Sequence, residues 1–289
     1  MAVTTNFVTT DWLEAHLHSP DLAIIDASWH LPPLKRDARA EYLAAHIPGA
    51  VFFNIDEIAD LSSGLPHMMP DPLAFAEAMK QLGLGDGMQF VVYDQSGLFS
   101  APRVWWMLKT FGAPDVQVLE GGLPKWMAEG RATESGAVQR VARIFTPRLD
   151  HSAIARVPDV AQALQSGKTQ VVDARPADRF RGESPEPRPG VKSGHMPGSL
   201  NLPFSHLVEH GRLKTAAEIE GAFAAAGVDL ARPVITSCGS GVSAAILALA
   251  LEETGHHVAG IYDGSWAEWG SSPDLPVATG EAKQGTAQS

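Results

Sequence analysis

Cysteine is the scarcest residue of this chain: one in 289, at position 238. That excludes an intramolecular disulfide and any zinc site built on paired cysteines, and it suits a reducing, cytoplasmic setting. Long apolar runs are missing too; none reaches the roughly 18 residues that a membrane helix needs. The opening "MAVTTNFVTTDWLEAHL" has neither the basic-then-apolar layout of a secretory leader nor the Arg- and Ser-rich character of a transit peptide. Positive charge is in deficit, with 22 Lys and Arg against 33 Asp and Glu and a net charge of −11. Nucleic acid and anionic membrane are therefore poor partners, although a locally basic pocket stays open. The histidines show no metal-ligand spacing, so no metal and no cofactor are expected.

What is there is a repetition. The first half reads "WLEAHLHSPDLAIIDAS", "HIPGAVFFNID", "FVVYDQSGLFSAPRVWWMLKTFG" and "LEGGLPKW". The second half reads "VAQALQSGKTQVVDAR", "HMPGSLNLPF", "PVITSCGSGVSAAILALALEETG" and "YDGSWAEW", in the same order. The last two pairs share one offset, that between Trp126 and Trp269. A duplicated domain is the simplest explanation. Residues 1–135 are read as a first domain without chemistry, 136–155 as a linker, 156–280 as the catalytic domain and 281–289 as a disordered tail.

Within each half, short apolar runs such as "AIIDA", "FVVYD", "QVVDA" and "PVITS" alternate with helical segments. Continuous apolar runs suit parallel strands covered on both faces. The predicted fold class is therefore α/β: two tandem domains, each a mainly parallel sheet flanked by helices on both faces. Functional groups gather at the carboxyl ends of such strands. Cys238 falls there, in "TSCGSGVSAA", between a strand and a helix that stops at a glycine.

A helix start leaves backbone N–H groups without intrahelical partners. Gly239 and Gly241 are expected to let the loop curl, so that these groups converge on the Cys238 sulfur as an anion cradle. A thiol held there is expected to be biased towards thiolate. The competing reading is an inert, buried thiol, the commoner fate of a lone cysteine. The duplicate argues against it. By the common offset, Gln95 stands opposite Cys238 and Pro102 opposite Ala245; only one copy kept the thiol.

"CGSGVSA" on a strand–loop–helix, with "GHMPGS" upstream and "DGSWAEW" downstream, resembles the rhodanese superfamily of sulfurtransferases, from about Trp12 to Trp269. The tandem arrangement is similar to its two-domain branch. Thiosulfate-using members carry a basic pair after the cysteine. Gly239 and Ser240 stand there instead, which is similar to the branch that uses 3-mercaptopyruvate. Ser243 departs from the usual Thr but keeps a hydroxyl. The resemblance implies a Cys238 persulfide, with Gly239, Gly241, Val242 and Ser243 forming the binding loop. It further implies that Arg179 and Arg188 grip the donor's carboxylate and keto oxygens, as bidentate guanidinium forks can, with Arg181 a weaker alternative. It suggests an Asp37–His46–Ser240 relay for acid–base help, against which stands the parallel His195, a sign of a shared structural role. Implied partners are a small-molecule sulfur donor and an acceptor: cyanide, a thiol or a thioredoxin-like protein.

Three rivals follow from the same residues. A phosphatase on this fold needs an Arg six positions after the cysteine, where Ala244 stands. A passive persulfide carrier would not need Arg179 or Arg188. Thiosulfate as donor is disfavoured by the uncharged loop.

Overall fold

The computed structural model describes residues 5–282; of the predicted tail, only 281–282 fall within that range. The chain divides into two compact units. One takes the chain to Ser62, with Met69–His151 and His210–Arg212. The other takes Ser63–Met68, Ser152–Glu209 and the chain from Leu213.

The first unit is built on β1 (Phe7–Val8), β2 (Leu22–Asp26), β3 (Val51–Phe52), β4 (Gln89–Tyr93) and β5 (Val116–Leu119), in the order β1-β5-β4-β2-β3. All four pairings are parallel. The second unit repeats this with β6 (Ile154–Ala155), β7 (Gln170–Asp173), β8 (Leu200–Asn201), β11 (Val234–Ser237) and β12 (Val258–Tyr262), in the order β6-β12-β11-β7-β8. These pairings are parallel as well. Two short strands, β9 (Val208–Glu209) and β10 (Arg212–Leu213), stand outside both sheets.

The central strands are buried along their length: every residue of β2, β7 and β11 is covered. Helices do the covering. In the first unit they are α1 (Thr10–His16), α2 (Ala38–Ala44), α3 (Pro72–Gln81), α4 (Ala101–Thr110) and α5 (Gly122–Ala128). In the second they are α6 (Val157–Ser166), α7 (Ala177–Phe180), α8 (Ala216–Ala225), α9 (Ala244–Glu253) and α10 (Ser265–Trp269). Helix α9 is buried from Ala244 to Leu251, which explains why its sequence shows no polar stripe. Thr254 is its C-cap, and Gly255 follows with φ +77°. Trp126 and Trp266 are wholly buried in the two cores, Trp126 against Val91 and Leu123 and Trp266 against Ile235 and Tyr262.

The segment read as a linker is divided between the units: up to His151 it belongs to the first, and its end, Ile154–Ala155, is β6 of the second. Asp86 N donates to Ile144 O, Arg148 N to Phe111 O and Asp150 N to Thr110 O, each at 2.8 Å. Phe145 is buried, edge-on to the Phe75 ring. Among the described residues no helix is long and apolar enough to cross a membrane.

Candidate active site

Strand β11 ends at Ser237, paired with Asp173 at the end of β7. Cys238 follows, 2 % exposed. Such burial alone suits an inert core thiol equally well, so the polar groups around it decide. Cys238 N donates to Ser265 Oγ (3.1 Å). Trp266 N donates to Cys238 O (2.9 Å) and Ala267 N to Gly239 O (2.8 Å), so the start of α10 clamps the loop's carbonyls. Ser265 holds φ +50°, a strained setting for a residue with a side chain. Its hydroxyl is fixed by donating to Tyr262 O (2.7 Å).

The two loop glycines play different parts from those expected. Only Gly241 is left-handed, at φ +79°; the loop turns there. Gly239 serves by its lack of bulk, since a Cβ there would lie 3.3 Å from Arg179 Nη2. Val242 is buried and Ser243 is the N-cap of α9, without a side-chain cap bond. The N–H groups of Val242, Ser243 and Ala244 have no acceptor among the described residues, the open donor set expected of a cradle.

The first unit shows what such a set can hold. Leu123 N donates to Asp94 O (3.1 Å), just as Trp266 N donates to Cys238 O. Asp26 pairs with Tyr93 as Asp173 pairs with Ser237. Register and hydrogen bonding thus place Asp94, not Gln95, opposite Cys238. The offset is not constant: one extra residue sits in the first loop between Gly97, φ +96°, and the N-cap Ser100. Asp94 Oδ2 accepts from the N–H groups of Phe99 (2.7 Å), Ser100 (2.9 Å) and Ala101 (2.9 Å), and Oδ1 from Ser96 (2.8 Å). By their position before and at the helix start, these three correspond to Val242, Ser243 and Ala244. The first loop binds its own carboxylate.

Around Cys238 the structure gathers Ser240, Arg179, Arg188 and a residue that the sequence did not point to. His67 Nδ1 lies 3.0 Å from Ser240 Oγ, and Arg188 Nη2 donates to the same oxygen at 3.4 Å. The hydroxyl accepts from the guanidinium and can still either donate to the imidazole or accept from it, as the tautomer sets. His67 is buried and held at φ +61°, a backbone setting that a non-glycine residue adopts only when its surroundings impose it. Arg179 binds Glu186 through Nη2 (2.5 Å) and Nε (3.3 Å). Arg181 instead pairs with Glu183 and Glu281.

Asp37 and His46, read from the sequence as two members of a relay, are each engaged by other partners within the first unit. His46 is fully buried, donates from Nδ1 to Tyr42 O (2.8 Å), stacks on the Tyr42 ring, and presents Nε2 to Glu134 Oε1 (3.2 Å). His195 does the same in the second unit, donating from Nδ1 to Phe180 O (2.9 Å) and stacking on Phe180. Both pin a turn to a late strand-like segment, His46 against Glu134 and His195 against Ala278. Asp37 is spent as the N-cap of α2, accepting from Ala40 N (3.0 Å). No spacing announces His67, which is 173 residues from Ser240; only folding brings them together.

A family model for the rhodanese-like domain matches twice, over residues 9–129 and 157–272. The chain belongs to the rhodanese family. Among rhodanese-type relatives, the 3-mercaptopyruvate sulfurtransferase of Escherichia coli is 46 % identical over 275 residues, covering 95 % of this chain and 98 % of that one. The 3-mercaptopyruvate sulfurtransferase of Homo sapiens is 42 % identical over 285 residues, covering 96 % of each. The crystal structure of SseA from Escherichia coli superposes with a TM-score of 0.85 at 45 % identity, covering 91 % of this chain and 99 % of that one.

Proposed function

We propose that the chain is a sulfurtransferase that takes sulfur from 3-mercaptopyruvate, holds it as a Cys238 persulfide and passes it to a thiol or to cyanide. The supporting observation is the convergence of Cys238, Ser240, Arg179, Arg188 and His67 on one loop with an open set of N–H donors. The Cys238 sulfur, as thiolate, attacks the sulfur of the donor. The donor's C3–S bond breaks and its electrons pass into the enolate of pyruvate, which is protonated at C3 and leaves. The outer sulfur stays on Cys238, its charge facing the N–H groups of Val242, Ser243 and Ala244. An acceptor nucleophile then attacks that outer sulfur, and the S–S electrons return to Cys238.

In this reading Arg179 and Arg188 receive the donor's carboxylate and keto oxygen. Ser240 and His67 handle the proton, with the hydroxyl poised between Arg188 and the imidazole. His46 and Asp37 brace the first unit. We further propose that residues 156–280, with strand β6 and the His67 segment Ser63–Met68 added, form the catalytic domain, that the acceptor in the cell is a thiol or a thioredoxin-like protein, and that the enzyme works in the cytoplasm, where its one thiol stays reduced.

The test is intact mass after exposure to 3-mercaptopyruvate, with pyruvate assayed in parallel. One added sulfur atom per chain, lost in Cys238→Ser, is the expected outcome. No added sulfur, or an equally active Cys238→Ser, refutes the reading. A higher kcat/KM with thiosulfate than with 3-mercaptopyruvate would instead mark a thiosulfate enzyme. Unchanged turnover after Arg179→Gln and Arg188→Gln would favour a passive carrier.

A further inference from the structure

We propose that Glu186 is a positioning residue for the donor site, its carboxylate holding the Arg179 guanidinium against the Cys238 loop. The inference rests on the reading of Arg179 as a carboxylate anchor.

Glu186 lies in a Pro-rich loop, "GESPEPRPG", where an exposed carboxylate would be expected. Its side chain is nevertheless only 4 % exposed. Oε2 accepts from Arg179 Nη2 (2.5 Å), while Oε1 accepts from Arg179 Nε (3.3 Å) and from Arg175 Nη1 (2.8 Å). One carboxylate therefore bridges two guanidinium groups. Arg175 supplies the fixed end of the bridge. It is 1 % exposed, donates from Nε and Nη2 to Asp173 at the end of β7 and from Nη2 to Gly194 O, and lies over the Trp266 ring at 4.5 Å. Burial works against the Arg175 charge, but Asp173 and Glu186 outweigh it and hold its pKa above the ordinary arginine value.

A chain of alternating charges thus runs from the sheet edge to the loop: Asp173, Arg175, Glu186, Arg179. At its end, Arg179 Nη2 reaches the face of Gly239. Glu186 engages Nε and Nη2 and leaves Nη1 outside that pair. A free arginine has rotamer entropy to lose on being ordered. An arginine already clamped loses less of it when the donor arrives, which lowers KM. A buried ion pair whose only role was to stabilise the fold would make no such link between two residues in the kinetics.

The experiment compares Glu186→Gln, Arg179→Gln and the double variant with 3-mercaptopyruvate as donor. Glu186→Gln is expected to raise KM about 10-fold with kcat changed less than about 3-fold, since positioning acts on donor binding. Arg179→Gln should raise KM at least as much, and the double variant should be no worse than Arg179→Gln alone, because both changes remove one interaction. Cys238 is also loaded with inorganic polysulfide, a sulfur source without a carboxylate; all three variants should take up that sulfur like the wild type. An unchanged KM in Glu186→Gln alongside a raised KM in Arg179→Gln overturns this proposal alone. KM effects that multiply in the double variant, or a loss of polysulfide loading in Glu186→Gln, overturn it in favour of a general brace. An unchanged KM in Arg179→Gln overturns it together with the anchor reading beneath it.

Discussion

The two units share one sheet topology and one strand-to-helix loop, yet one loop closes on a carboxylate and the other on a thiol. In the first, Asp94 fills the converging N–H groups with an anion that cannot leave. In the second, the corresponding groups have no acceptor among the described residues. The comparison teaches that the cradle is a property of the backbone, and that one side chain decides between a structural and a chemical use of it. The strand ends differ in the same spirit. Asp173 is matched by the buried guanidinium of Arg175. Its counterpart Asp26 accepts from Ser28 N at 2.9 Å, and among the described residues it forms no ion pair. Burial therefore pushes the Asp26 pKa up to about 6, against the hydrogen bonds from Ser28 and Tyr93 that pull it down.

Copying the first loop into the second gives the largest expected effect. Cys238→Asp should cut turnover by more than about 1000-fold, as removal of a nucleophile does, while leaving the thermal midpoint no lower than wild type. A midpoint several degrees lower would mean that the second loop does not accept a carboxylate, and the equivalence would break.

Asp173→Asn should destabilise the fold by about 3 kcal/mol in urea titrations, because it removes one of the two carboxylates paired with the buried Arg175 charge. Asp26 adds a pH-dependent contribution. Its pKa is higher in the folded state, at about 6 against an ordinary 3.8, so the fold favours the protonated form. Below about pH 4 it costs nothing; between about pH 4 and 6 stability falls as pH rises, by roughly 3 kcal/mol in all. Asp26→Asn should remove that fall. An identical pH profile in the variant would show that Asp26 is not the group responsible.

The smallest expected effects separate the histidines. His67→Gln should lower kcat by about 10- to 100-fold, in the range of acid–base assistance. His46→Gln should leave kcat unchanged and cost only about 1 kcal/mol of stability through a lost hydrogen bond. Reversal of that order would restore His46 as the acid–base group.

Much of the fold was legible from pattern alone. Apolar runs ending in polar residues identified β2, β4, β7 and β11, because strands buried on both faces leave no room for alternation. Duplication and the Cys238 loop could be read because they are contiguous in sequence. The details failed where geometry departs from counting. A constant offset put Gln95 opposite Cys238, but a single extra residue after Gly97 moves Asp94 there. The resemblance, not the pattern, suggested His46, just before a Pro-Gly turn, as the acid–base partner. That position is instead where a histidine can stack on Tyr42 and tie down a turn, and His195 repeats it.

The sequence by itself determined the repeat, the sheet class and the one residue able to carry sulfur, since each depends on local pattern or on which side chain is present. Tertiary structure alone decided which histidine meets Ser240, which carboxylate holds Arg179 and which loop is already filled. Those contacts join residues that the chain keeps far apart or faces in directions no spacing reveals, and only packing brings their polar atoms to within 3 Å or so of one another.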